Sequence, residues 1–145
     1  MRTYGQYCPI ARASEILAER WTPIVIRNLL LGCNTFSEIA AGVPGIPKAL
    51  LSTRLKQLEE AGIVDTTPNP SRRGHFYQLT EAGQDLGDVL MAMGAWGERW
   101  LELAPEHVDP TLVLWSWSRN YLAHDRLPDR RVVVRFEFND QPRRS

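Results

Sequence analysis

Apolar residues return every three or four positions through the first part of the chain, and this spacing is typical of amphipathic helices. The pattern predicts one helix over residues 9–19 and a second over residues 23–31. Both segments begin with proline, whose missing N–H is tolerated in the first helical turn. The second segment is apolar on most of its sides, so we expect that helix to be buried.

The chain then continues with a short helix, a turn and a longer helix. Thr35 and Glu38 are spaced as in a capping box, which predicts a helix over residues 36–41. Glycine and proline indicate a turn at residues 42–45, and the longer helix is predicted over residues 47–61. This order of elements is typical of a helix-turn-helix motif.

The longer helix has two unlike sides. Its core side consists of leucines that lie within about 60° of one another, namely Leu51, Leu55 and Leu58. The opposite side carries small, hydroxyl and basic side chains that suit base edges and phosphates, namely Lys48, Ala49, Ser52, Thr53 and Lys56. The alternative is an ordinary solvated helix face.

Two cations of this helix differ in their surroundings. Glu59 and Glu60 follow Lys56 by three and four residues and can compete with DNA for its charge. Arg54 has no acid at those spacings, which leaves it available for a phosphate or for a partner elsewhere in the fold. Both cations are included among the candidate DNA contacts.

Two short segments, residues 63–67 and 75–79, predict a β-hairpin directly after that helix. Two strands alone are marginally stable in water, so a wing packed on the helices fits better than a separate sheet. The hairpin carries Arg72, Arg73 and His75, which suit phosphates or a narrow minor groove. A solvated loop is the alternative.

A long helix is predicted over residues 80–103, with a wide apolar face that one small domain has little left to cover. We therefore expect a dimer seam formed by Leu86, Val89, Leu90, Met93, Trp96 and Trp100. The predicted fold is mainly α with a small β-hairpin wing (α+β). It is a winged helix-turn-helix over residues 1–104 that dimerises through its terminal helices.

Residues 105–145 are predicted to be a C-terminal extension that forms an incomplete domain. Residues 109–123 have the spacing of one more helix, and residues 131–138 alternate as a strand. The sequence offers this strand no obvious partner, and an unpaired strand is an aggregation liability. We expect it to pair with the wing, with its twin in a dimer, or with a further domain.

Composition narrows the class of protein. The 145 residues carry 17 basic and 17 acidic side chains, so a globally basic nucleic-acid coat is excluded while local basic clusters are not. The sequence shows no membrane-length apolar run and no secretory signal, so a cytoplasmic protein is expected. Two cysteines are too few for a disulfide framework. With no catalytic, metal or cofactor motif, an enzyme is not expected.

Three segments carry a resemblance to a known family: CPIARASEILAERWTPIVIRNLLLG, FSEIAAGVPGIPKALLSTRLKQLEEAGIV and FYQLTEAG. In this order and spacing they resemble HxlR-type winged helix-turn-helix transcriptional regulators over residues 8–103. The resemblance implies a bacterial or archaeal homodimer that binds near-palindromic double-stranded DNA, as an activator or a repressor. The extension, through DPTLVLWSW and LPDRRVVVRFEFNDQP, resembles the start of the sterol-carrier-like domain that some long members append.

The resemblance also suggests that Cys8 senses oxidants or electrophiles, since several family members use the cysteine at this position. Cys8 precedes Pro9 at the predicted N-cap of the first helix, where the helix dipole favours an anion. The alternative is an inert buried thiol near the dimer seam. A second class of function also stays open, in which the tryptophan-rich stretch 96–117 and the extension form a small-molecule-binding or protein-interaction module.

Overall fold

The structure is a computed structural model that describes residues 3–71, 73–104, 107 and 109–137. The elements in chain order are α1 (Pro9–Leu17), α2 (Thr22–Leu30), α3 (Phe36–Ala41), α4 (Lys48–Glu60), β1 (Val64–Pro68), β2 (His75–Leu79), α5 (Glu81–Trp100) and α6 (Pro110–Asn120). A short 3-10 turn follows at His124–Arg126. The predicted fold class, mainly helical with a two-stranded antiparallel hairpin, is confirmed.

The buried core fixes which side of α4 faces solvent. Leu51, Leu55 and Leu58 are fully buried, as the periodicity of α4 predicts. α2 is buried along much of its length and contributes Val25 and Ile26, whereas α1 buries no residue fully. Burying one such side chain stabilises a fold by roughly 1.5–3 kcal/mol. The leucine side of α4 is therefore held inward, and its opposite side is left to the solvent.

α3 begins with the predicted capping box. The Glu38 amide donates to the Thr35 hydroxyl at 3.4 Å, while the Glu38 carboxylate accepts from the Thr35 and Asn34 amides at 3.2 and 3.1 Å. Burial raises the pKa of Glu38, but these hydrogen bonds and the charge of Arg119 outweigh burial, so the pKa is lowered. A charged carboxylate therefore closes the first turn of α3.

The hairpin is attached to the helix-turn-helix and forms the predicted wing. β1 and β2 pair antiparallel, with Val64 opposite Leu79 and Pro68 opposite His75. The Tyr77 amide donates to the Asn34 carbonyl at 2.8 Å, next to an isolated bridge between residues 35 and 76. Contacts with the start of α3 thus support two strands that are marginal by themselves.

α5 leaves the hairpin through a cap at Thr80. The Thr80 hydroxyl accepts from the Gly83 amide at 3.2 Å and donates to the Gly62 carbonyl at 2.7 Å. α5 then packs along α2. The end of the hairpin and the start of α5 are therefore joined to the turn that follows α4.

The predicted dimer seam on α5 needs one correction. Leu86 and Leu90 are partly buried and pack on the core of their own protomer, because this side of α5 covers α2. The other predicted seam residues are exposed, and they are Val89, Met93, Trp96 and Trp100. The apolar surface that this helix leaves uncovered is therefore narrower than its sequence pattern indicates.

α6 confirms the predicted helix of the extension, over a shorter range, and lies against the helix-turn-helix. Trp115 packs on the core, and its ring lies next to Gly42 and the Asn28 amide group. Arg119 approaches Glu38 at 3.5 Å. The extension is thus in contact with α2 and α3, the helices behind α4.

The predicted strand at residues 131–138 does not pair with the wing over the part that the structure describes, and its pairing with a twin in a dimer or with a further domain stays a prediction. Residues 131–137 form no strand, and Val132, Val133 and Val134 are exposed. Among the described residues the hairpin is the only sheet, so no neighbouring strand supplies the hydrogen-bonded ladder that a strand needs. Phe138 lies outside the described residues.

Candidate nucleic-acid interface

α4 presents a continuous solvent-exposed side opposite its buried leucines. Its members are exposed as the sequence predicts, and they are Lys48, Ala49, Ser52, Thr53 and Lys56. The Thr53 hydroxyl donates to the Ala49 carbonyl at 2.9 Å, so its oxygen still has capacity to accept a hydrogen bond. This side therefore offers hydroxyl, methyl and ammonium groups to a neighbouring molecule.

Basic and acidic side chains lie at opposite ends of α4. Lys48 begins the helix, and no side chain caps its N-terminus, a position that favours phosphate. Glu59 and Glu60 lie exposed in the last turn. Lys56 Nζ lies 3.7 Å from Glu60 Oε1, and both side chains are mostly exposed, so this ion pair contributes little and is readily exchanged for a phosphate. The N-terminal part of α4 is therefore its more basic part.

Arg54 does not belong to this exposed side. Its side chain is 11% exposed, and its Nη2 lies 2.7 Å from Glu19 Oε2. It also donates to the Arg20 carbonyl at 3.2 Å and to the Gln57 side chain at 2.6 Å. We therefore correct the prediction that Arg54 contacts DNA: its guanidinium is held by an acid beyond the end of α1, outside the reach of sequence spacing.

The hairpin adds polar side chains beside α4. Arg73 and His75 are exposed, whereas Arg72 lies outside the described residues. An open groove of about 400 Å³ runs between α4 and the hairpin, with a lining that includes Ser52, Lys56, Glu59, Thr66, His75 and Tyr77. The exposed side of α4 and the hairpin thus form one surface with a groove between them.

Two of the hydroxyl side chains that line this groove, Tyr77 and Thr66, are partly buried. Burial and the nearby charge of Glu59 raise the pKa of Tyr77, so its phenol stays protonated at neutral pH. The Thr66 hydroxyl oxygen is buried and has no hydrogen-bond partner among the described residues. A buried hydroxyl without a partner is uncommon in folded proteins.

The two cysteines occupy different environments, and both are free thiols. Cys8 is the N-cap of α1, as predicted, and it is partly exposed. Cys33 is buried in the core, and burial raises the pKa of its thiol. Within the described residues, no three His, Cys, Asp or Glu side chains come together as metal ligands.

A buried polar network that the sequence pattern does not predict lies behind α3. Asn28 is fully buried, and its amide nitrogen donates to the Ile39 carbonyl at 2.9 Å. Its amide oxygen accepts from Arg27 at 3.0 Å, and Arg27 also donates to the Gly42 carbonyl at 2.8 Å. The network fixes α2 to α3 and to the following turn. The signal in the sequence is a polar pair inside an otherwise apolar helix.

A helix-turn-helix whose second helix exposes a polar and basic side, followed by a β-hairpin, defines a winged helix-turn-helix protein. The chain belongs to the HxlR-like helix-turn-helix family, whose sequence model matches residues 16–105.

Several relatives are regulators of the same kind. The uncharacterized HTH-type transcriptional regulator Rv3095 of Mycobacterium tuberculosis is 33% identical over 135 residues, covering 83% of this chain and 84% of its own length. The redox regulator HypR in its oxidized form is 27% identical, with a TM-score of 0.61 and coverage of 66% of this chain and 100% of its own.

A third similar protein has been solved with a small molecule. Quinone-bound YodB of Bacillus subtilis is 33% identical to this chain, with a TM-score of 0.53. The match covers 64% of this chain and 99% of YodB.

None of the described helices of the present chain is both long and apolar enough to cross a bilayer.

Proposed function

We propose that this chain is a sequence-specific DNA-binding transcriptional regulator that binds a near-palindromic operator as a homodimer. The exposed side of α4 carries the proposal, because Ser52 and Thr53 suit base edges while Lys48 and Lys56 suit phosphates. α4 enters the major groove with its N-terminal part foremost, since the acidic last turn is repelled by phosphate.

The hairpin follows the DNA beside α4. Arg73 and His75 are exposed on it, and with Arg72 they suit the phosphate backbone or a narrow minor groove. The groove between α4 and the hairpin then faces the DNA backbone, with Lys56 at its edge.

The homodimer is supported by the exposed apolar side chains of α5. Met93, Trp96 and Trp100 are each more than half exposed. A second copy of the chain covers this surface, and two α4 helices then reach successive major grooves, about 10 base pairs apart or a multiple of that spacing. In this proposal Trp96 and Trp100, which the alternative assigns to an interaction module, lie in the dimer interface. The likeness of the extension to a sterol-carrier-like domain stays a prediction.

DNA binding is tested by titrating the protein into labelled upstream DNA of its own gene, beside a scrambled duplex, with fluorescence anisotropy at several salt concentrations. We expect Lys56→Ala and Arg73→Ala each to weaken binding to both duplexes by roughly tenfold. In a dimer, each substitution removes two phosphate contacts, so the salt slope falls by about 1.8. Thr53→Ala instead changes the preference among base substitutions in the operator.

Arg130→Ala is the matched control, because it removes an exposed cation of the extension that belongs to neither α4 nor the hairpin. Its titration curve should overlay that of the wild type. Equal binding of the wild type to native and scrambled duplexes would contradict sequence-specific regulation by this DNA, and unchanged curves for Lys56→Ala and Arg73→Ala would reject the assigned surface.

We further propose that Cys8 makes DNA binding responsive to electrophiles. YodB is solved with bound quinone, HypR is described as a redox regulator, and Cys8 of this chain is the partly exposed thiol. The Cys8 thiolate forms a C–S bond with a ring carbon of a quinone, and that carbon then loses its hydrogen as a proton when the ring becomes aromatic. The two ring oxygens take up this proton and the one released by the thiol, which gives the hydroquinone thioether without an external reductant. No second cysteine is needed.

One equivalent of 1,4-benzoquinone per protomer is expected to add one aromatic ring at Cys8 and to lower operator affinity. Intact-mass spectrometry with peptide mapping identifies the site, and anisotropy measures the affinity. Cys8→Ser should lose both effects, whereas Cys33→Ser should keep them because Cys33 is buried. Loss of affinity that persists in Cys8→Ser would assign the response to another residue.

A further inference from the structure

The junction between α1 and α2 is held in an uncommon backbone conformation. Trp21 has a φ of 79°, and among the described residues it is the only one other than glycine with a positive φ. A bulky L-residue stays in the left-handed region only where its surroundings impose that conformation. The Arg20 guanidinium covers the Trp21 ring at 5.1 Å from the ring centroid. The Trp21 side chain packs against the core, and a further contact holds the residues that precede it.

Arg54 of α4 supplies that contact. Its guanidinium contacts both residues that precede Trp21, through an ion pair with Glu19 and a hydrogen bond to the Arg20 carbonyl. The same guanidinium is oriented from its own helix by Gln57. Hydrogen bonds between ionised groups are shorter and stronger than neutral ones, and the bond from Arg54 to Glu19 is 2.7 Å long, with the Arg54 side chain mostly buried and the Glu19 side chain partly exposed.

We infer that Arg54 is a positioning residue for DNA recognition, which sets the orientation of α4 by clamping it to the α1–α2 junction. The inference rests on the proposed function, because it is the docking of α4 into the major groove that the orientation serves. The leucine side of α4 fixes which face of the helix is turned inward, and the clamp near the middle of the helix adds a polar constraint on the tilt of its axis.

The clamp also joins α4 to the helix that begins at Cys8. α1 runs from its N-cap at Cys8 to the junction that Arg54 holds. A displacement of α1 therefore reaches α4 by a polar route through Glu19 and Arg54, in addition to the packing of Ile16 and Leu17 on the core.

Glu19→Ala distinguishes positioning from a direct DNA contact, because the two roles predict changes of opposite sign. If Arg54 positions α4, removing its acid partner lowers operator affinity. If Arg54 contacts a phosphate, removing Glu19 frees the guanidinium and raises affinity. Glu15→Ala is the matched control, because Glu15 is an acid of α1 whose partners are Thr3 and Tyr4 rather than α4.

In anisotropy titrations of the full chain, we expect Arg54→Ala and Glu19→Ala each to lower operator affinity by roughly tenfold. The double variant should lose no more than either single variant, and the salt slope should stay at its wild-type value. Binding to the scrambled duplex should change much less than binding to the operator. A simple loss of folded protein reduces both equally, so the ratio separates positioning from instability.

Hydrogen exchange of the free protein tests the clamp without DNA. Both variants should speed exchange at the Thr22 amide and along α4, while the amides shared by β1 and β2 keep their protection. Unchanged exchange at the junction, a higher affinity in Glu19→Ala, or a salt slope lowered by about 1.8 in Arg54→Ala would overturn the inference. If the wild type does not prefer its operator over the scrambled duplex, the proposed function is overturned instead. Hydrogen exchange of the free protein then still tests whether Arg54 holds the α1–α2 junction.

Discussion

Asn28→Ala is expected to destabilise the folded protein by about 3 kcal/mol. The Asn28 side chain is fully buried, and its amide joins the Ile39 carbonyl to the Arg27 guanidinium. Alanine leaves both groups without this partner, in a cavity that Trp115 and Gly42 help to enclose. A buried polar group that loses its partner pays its full desolvation cost, which adds to the cost of the cavity.

Urea unfolding followed by tryptophan fluorescence measures this change in the free energy of unfolding. Asn34→Ala is the control, because the Asn34 side chain is exposed and its interactions with Glu38 and Tyr77 use backbone atoms. The control should stay within about 0.5 kcal/mol of the wild type. If Asn28→Ala changes the free energy of unfolding as little as the control does, the buried amide is not needed for stability and the prediction is wrong.

Gly83→Ala is expected to destabilise the protein by about 2 kcal/mol, although alanine favours a helix more than glycine does. A Cβ at this position of α5 would meet the Ile63 carbonyl oxygen and the Leu79 side chain at less than contact distance. The carbonyl is backbone and already accepts from the Thr80 amide, so relief requires α5 to move away from the hairpin.

Gly94→Ala in the same helix should have the opposite sign. A Cβ at Gly94 meets no described atom of its own protomer within 4 Å, so within the protomer only the helix propensity changes, and we expect up to about 1 kcal/mol of stabilisation. Both variants are compared by urea unfolding at equal protein concentration. If Gly83→Ala is as stable as Gly94→Ala, α5 does not approach the hairpin as closely as the structure indicates.

Signals that act over a few residues account for most of the correct predictions. The periods of α1, α2 and α4, the capping box at Thr35 and the hairpin order all depend on neighbours in the sequence. The exposed side of α4 followed from the same local pattern, because burying Leu51, Leu55 and Leu58 leaves no other orientation. These parts of the fold and of the candidate interface are determined locally.

The corrections concern partners that are distant in the sequence. Arg54 meets Glu19, which lies 35 residues away, and no helical spacing identifies such a pair. Leu86 and Leu90 turn inward because α2 lies beside them, a fact of packing rather than of periodicity. Residues 131–137 have the alternation of a strand, but alternation cannot supply a neighbouring strand.

Because α6 packs against α2 and α3, the winged helix-turn-helix of residues 1–104 is not independent of the extension. Cutting the chain after residue 104 uncovers Gly42 and the Asn28 amide, because the Trp115 ring lies over both. It also removes Arg119 from the carboxylate that closes the first turn of α3. A segment that follows α6 is consequently joined to the helix-turn-helix through these contacts as well as through the covalent chain.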